Sequence, residues 1–194
     1  RGKQPEPQAG TLIHELGHNI GLTHGGGGPF PTMHINYKPN YLSVMNYDFQ
    51  TGFYGVQNGQ IVQLKVWDYS TWQANTLNEK SLKEQQSVTA PPAVANKFIF
   101  VFRCGSQAVG GLFNKPVSWD CDQQTNETVQ ADVNNDGRLD KLVSQDNWDN
   151  LIWDGGEIGG AGASAPSSPA ERDELTFAHQ TDLDTHLLGS TPAN

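Results

Sequence analysis

The chain has 194 residues, the size of one domain or of one domain with a small appendage, and 36% of them are hydrophobic, enough to build a core. Glycine (21) and proline (11) together stay below the roughly 25–30% that marks low-complexity chains, and no apolar run approaches about 18 residues, which argues against wholesale disorder and against a membrane-spanning helix. The net charge is −9, and residues 120–154 carry most of it: nine acids stand there against Arg138 and Lys141, a distribution that draws cations and not nucleic acid.

Residues 1–10, with Pro5 and Pro7, read as a polar loop, and the chain opens without a signal peptide, so its start has the look of an interior or processed point of a longer precursor. The spacing of residues 11–20 predicts a helix whose apolar stripe is Leu12, Ile13, Leu16 and Ile20, with Gly21 as its stop. Residues 25–40 hold four consecutive glycines and three prolines and read as loop; residues 41–47 are apolar and tight. A strand is expected over 60–66, a short charged helix over 78–86 with Leu77 and Leu82 inward, and the clearest strand over 97–103. Residues 159–169 have a linker's Ala, Ser, Gly and Pro, and the last 25 residues either dock as a short helix around 171–178 or fray. No internal repeat stands out. Cys104 and Cys121 make an even pair that an oxidising compartment would let close.

The sharpest motif is His14-Glu15-Leu16-Gly17-His18-Asn19-Ile20-Gly21-Leu22-Thr23-His24. Residues four apart on a helix lie about 40° apart on one face and one turn of about 5.4 Å along it, so His14 and His18 can grip one zinc ion. Glu15 can reach the metal's water without being a ligand, the placement of a general base. Gly21 can take the left-handed conformation that turns the chain back, so that His24 brings a third nitrogen. Three ligands leave a fourth tetrahedral position open, the catalytic pattern. Gly17 lets something pack closely beneath the metal.

This pattern resembles the metzincin zinc endopeptidases, which also carry a methionine turn beneath the metal. Ser43-Val44-Met45-Asn46-Tyr47 looks like that turn. The resemblance implies that Met45 floors the three histidines, and that Tyr47 is similar to the tyrosine that in astacin-like and serralysin-like members contacts zinc and stabilises the oxyanion. It also implies an upstream sheet that binds substrate as an added strand. Only thirteen residues precede His14, so an upstream segment or chain is expected to complete the cleft. The glycines after His24 depart from the best-known subfamilies.

The acidic stretch Asp132-Val133-Asn134-Asn135-Asp136-Gly137-Arg138-Leu139-Asp140 offers oxygens at positions 1, 3, 5 and 9 of a calcium loop, with the turn glycine at 6 and the Arg138 carbonyl at 7. Position 12 is Val143, where an EF-hand has glutamate, so Asp146, Asp149, Asp120 or Asp122 are candidates for completing the set. His34, His179 and His186 read as bland, and Trp119, Trp148 and Trp153 as core anchors around the acidic loops. The expected architecture is α+β, a metzincin-like lower subdomain of active-site helix, methionine turn and few strands. Its parts are a zinc-binding catalytic portion over 1–115, a calcium-binding region over 116–158, and a linker and tail over 159–194. The expected function is a secreted, extracellular zinc endopeptidase that hydrolyses protein or peptide substrates through a zinc-bound water activated by Glu15. The rivals are a calcium-organised binding or adhesion module with an inactive zinc site, and a hydrolase of other substrates.

Overall fold

The computed structural model describes residues 5–152 and 177–193. It is a mixed α+β fold of few helices and four small antiparallel pairs of strands. The linker composition at 159–169, Trp153 and residues 171–176 of the helix expected over 171–178 lie outside the described residues.

The first helix, α1, spans Pro5–Asn19, so it begins well before the expected Thr11. Its prolines stand in the first turn, where the missing N–H has no helical partner in any case. The buried stripe also differs from expectation. Leu12 and Leu16 are 70% and 54% exposed, Ile13 and Ile20 are half-buried, and the face turned inward is Gly10, His14 and Gly17. At Gly10 a side chain would meet the Gln50 carbonyl and the Trp67 indole; at Gly17 it would strike the Met45 sulfur and, at 3.0 Å, the Tyr69 ring. The helix therefore docks through its smallest residues, and its large aliphatic side chains face out.

An Asn58-Gly59 turn, with φ of 53° and 80°, joins β1 (Tyr54–Gln57) to β2 (Gln60–Gln63), the left-handed pair that matches strand twist. Hydrogen bonds from Leu64 N–H to the Phe53 carbonyl and from Phe53 N–H to the Val66 carbonyl continue the pairing over the rest of the expected strand. The helix expected over 78–86 is absent: β3 (Leu77–Asn78) and β4 (Leu82–Lys83) stand there, joined by a turn in which Ser81 N–H meets the Asn78 carbonyl at 2.8 Å. Leu77 and Leu82 are buried as expected, yet five residues apart is about 140° on a helix, so they share no helical face and each seats in its own strand pair.

After the one-turn helix α2 (Pro92–Ala95), β5 (Phe100–Cys104) pairs with β6 (Gln107–Gly111) and supplies the middle of the core. Phe100 and Phe102 pack there against Trp119, centroids 5.6 and 5.2 Å away. Trp119 is thus the core anchor expected of it, whereas Trp148 is half exposed and donates from its indole to Asp68. Cys104 and Cys121 form a disulfide that ties the end of β5 to the acidic region. That region then crosses back: β7 (Thr128–Val129) pairs with β4, and β8 (Lys141–Leu142) with β3. The last helix, α3 (Phe177–His186), docks on the core through Leu183 and Leu187, and Ser190 and Gly189 bond with Ile61. No helix among the described residues is long and apolar enough to cross a membrane.

Candidate metal centre

The end of α1 builds the site. Gly21, at φ 85°, turns the chain left-handed; its N–H bonds the His18 carbonyl at 3.2 Å, and Leu22 N–H reaches the Gly17 carbonyl at 2.9 Å. These are the two bonds of a Schellman cap, and they send the chain back over the helix so that His24 arrives beside His14 and His18. The three Nε2 atoms then form a near-equilateral triangle, with edges of 3.1, 3.1 and 3.0 Å. A tetrahedral zinc with Zn–N of about 2.0–2.1 Å asks for edges of about 3.3 Å, so the triangle fits one small ion with slight opening.

Proton placement supports the same fit. His14 Nδ1 lies 2.9 Å from the Val44 carbonyl and His18 Nδ1 lies 3.0 Å from the Leu22 carbonyl. A carbonyl only accepts, so each Nδ1 carries the proton and each Nε2 turns its lone pair to the centre. Burial lowers the His14 pKa to about 4, the neighbouring His18 adding to the effect; burial, with His14 and His18 beside it, lowers His24 to about 3. Both rings are held neutral, the form that ligates. His14 and His24 are buried, His18 is half-buried and Glu15 is exposed.

In the turn at 43–47, Met45 is fully buried beneath Gly17, in a small apolar cluster with Leu22, Tyr41, Val44 and Tyr69. Tyr47 lies tilted beside the histidines, its ring centroid 4.5 Å from that of His24 and 5.6 Å from that of His14. The turn is fixed by residues that the sequence did not single out. Asn147 accepts from Ser43 Oγ, Tyr41 Oη and Ser70 N–H. Asn36 Oδ1 accepts the Tyr47 N–H at 3.1 Å, and Asp48 forms a buried pair with Arg103, whose guanidinium also covers the Tyr37 ring. Lys38, fully buried, donates to the carbonyls of Gly25, Thr32 and Val143 and so pins the glycine loop after His24; burial lowers its pKa to about 7. Isolated Asn and Lys in loops, and a single Arg near the end of β5, carry no periodic signal, which is why spacing alone passes over them.

In the acidic stretch Asp132 accepts the N–H groups of Asp136 and Gly137, and Asp136 accepts that of Arg138, the bonding of an Asx turn. Asp140 N–H instead meets Glu79, and Asn134 Nδ2 reaches the Asn36 carbonyl, linking this loop to the residue that holds Tyr47. Among the described residues, two groups of His, Cys, Asp or Glu bring three ligand atoms within 4.8 Å of one another: the three histidines, and Glu84, Asp120 and Asp122. His34 lies half-buried in the turn after the glycines, and His186 ends α3, away from ligand spacing. A cleft of about 590 Å³ is lined by Gly27, Trp72 and Gln145 together with Asp146 and Asp149, and none of the three histidines borders it. Comparison of the chain with family models, with curated proteins and with solved structures finds no match.

Proposed function

We propose that the chain is the zinc-bearing part of a secreted, metzincin-type endopeptidase. One observation carries this reading: three histidine Nε2 atoms, 3.0–3.1 Å apart with lone pairs converging, stand beside an exposed glutamate one residue after the first ligand. A closed structural site would take a fourth side chain, whereas three nitrogens leave one position for reactants.

His14, His18 and His24 would hold the ion, which when bound supplies Lewis acidity and lowers the pKa of a water towards about 7. Glu15 takes the proton from the attacking water and returns it to the leaving amine, a transfer that needs a carboxylate reached by solvent and free of the metal. Tyr47, anchored through its backbone to Asn36, offers its hydroxyl to the developing oxyanion. Met45 packs beneath the helix and holds the histidine triangle in place. The disulfide is consistent with an extracellular site of action.

The test is metal content and peptide cleavage in the wild type and in Glu15→Ala. Cleavage is abolished in the variant while about one zinc ion per chain is retained in both. Wild-type turnover in Glu15→Ala removes the general base, and a wild type that binds zinc yet cleaves no peptide favours the calcium-organised binding module, a reading that the acidic loops independently support.

A further inference from the structure

The acidic region contains the same small device twice. Its root is a five-residue echo, Leu77-Asn78-Glu79 and Leu82-Lys83-Glu84, which puts a fully buried glutamate directly after β3 and directly after β4. Glu79 donates its N–H to the Asp140 carbonyl (3.0 Å) and receives Ala131 N–H at its own carbonyl (3.1 Å). Its Oε1 and Oε2 accept the N–H groups of Val133 and Asp140, both at 2.8 Å. Glu84 repeats the set: its N–H meets the Glu127 carbonyl (3.1 Å) and its carbonyl the N–H of Val117 (2.9 Å). Its Oε1 and Oε2 accept from Trp119 (3.1 Å) and Glu127 (3.2 Å). Each glutamate therefore closes the neck of one loop, 132–140 or 118–127.

The bonds at the entry of each loop set the register between them, and the exits at Asp140 and Glu127 show the second loop to be one residue longer. Val133 corresponds to Trp119, hence Asp132 to Ser118, Asn134 to Asp120, Asp136 to Asp122 and Gly137 to Gln123. The backbones agree at the unusual positions: Asn135 and Cys121 have φ of 56° and 66°, and Gly137 and Gln123 have 81° and 73°. The first residue's side chain accepts from the sixth N–H in both, Gly137 to Asp132 and Gln123 to Ser118. The fifth carboxylate accepts from the seventh N–H in both, Arg138 to Asp136 and Gln124 to Asp122. Gln123 holds a left-handed conformation that side chains rarely adopt, so the second loop keeps this shape without the glycine that announces the first.

Two observations reach beyond loop shape to a ligand. Asn134 is 2% exposed; its Nδ2 donates to the Asn36 carbonyl, while its Oδ1 lies buried with no donor. This is the third loop position, where a calcium loop presents an oxygen to its ion. In the sister loop, Asp120 occupies the same position, and its carboxylate is gathered with those of Asp122 and Glu84 within 4.8 Å, like charges that repel without a cation between them.

We propose that residues 117–142 form a paired divalent-cation module in which loops 132–140 and 118–127 each hold one hard cation of the calcium class. In the first, the donors are Asp132, Asn134, Asp136, Asp140 and the Arg138 carbonyl. In the second they are Asp120, Asp122, Glu84 and the Gln124 carbonyl, with the Ser118 hydroxyl bracing both aspartates. The proposal rests on the calcium reading of 132–140 and is independent of the hydrolytic one.

Calcium titration of the zinc-loaded full chain by calorimetry, with magnesium as competitor, tests it. Two calcium ions bind per chain. Asp136→Ala and Asn134→Ala abolish one, Asp122→Ala abolishes the other, and the double variant Asp122→Ala with Asp136→Ala binds none. Circular dichroism checks that each variant is folded. The wild-type count needs no variant: one ion, lost in Asp136→Ala, overturns the pairing and leaves the calcium reading of 132–140 intact, whereas no binding at millimolar calcium overturns both. Two ions that Asp122→Ala leaves in place also overturn it. Peptide cleavage is not read here, so the outcome is separate from that of the Glu15 experiment.

Discussion

His14 and His18 each donate Nδ1–H to a carbonyl, Val44 and Leu22, so their tautomers are set before any metal arrives. Tyr47 is held by its backbone and by two imidazole neighbours, which makes its hydroxyl removable without moving the ring. Tyr47→Phe should lower kcat by about 10²–10³ with zinc affinity unchanged, as expected for loss of one oxyanion donor. An unchanged kcat would leave the tyrosine a packing role alone. Acid should act on the same residues. The His14 and His24 pKa values, about 4 and 3, lie below the ordinary 6.5. Between pH 6.5 and about 3 the unfolded chain therefore binds more protons than the folded one, and stability falls as pH falls through that window. Thermal unfolding of the zinc-free chain from pH 7 to pH 4 should show the decline, and His24→Gln, with no proton to take up, should show a shallower one. Equal slopes would contradict the assignment.

The element that carries the site is a helix packed through its glycines. At 10, 14 and 17 it presents Gly, His and Gly inward, spacings of four and three, so that its backbone comes close to Gln50 and Met45 and the His14 ring reaches the Val44 carbonyl. Gly17→Ala should improve helix propensity by about 1 kcal/mol yet destabilise the protein overall, because the methyl strikes the Met45 sulfur and overpacking costs about 1–3 kcal/mol. The check is a denaturant melt together with zinc affinity, both falling; a stabilised protein would show that Met45 yields easily. The apolar residues misled at this scale. Leu12 and Leu16 have the period of a core stripe, but the period says which residues share a face and not which face is covered. The 78–86 segment misled in the other way, since its charges and leucines suit a helix while their five-residue spacing suits two short strands, each ending in a glutamate clamp.

At the scale of the whole molecule, residues far apart in the chain close around the metal centre: Asn147 on the methionine turn, Arg103 on Asp48, and Lys38 bridging Gly25 to Val143. The acidic region is joined to the rest by two strand pairs and a disulfide across the expected boundary at 115. Leu12 and Leu16 stay exposed on the outer face of α1. The convergence of the three histidines about Gly21 was legible in the sequence because local geometry dictates it: a helix sets the four-residue interval, and a left-handed glycine sets the return. The turn at Met45 was implied by the resemblance alone. The buried face of α1, the glutamate clamps, and the partners of Lys38, Asn36, Asn147 and Asp48 were decided only by tertiary structure. They depend on which distant backbone groups come within hydrogen-bond reach, and that is a property of the closed chain rather than of any window along it.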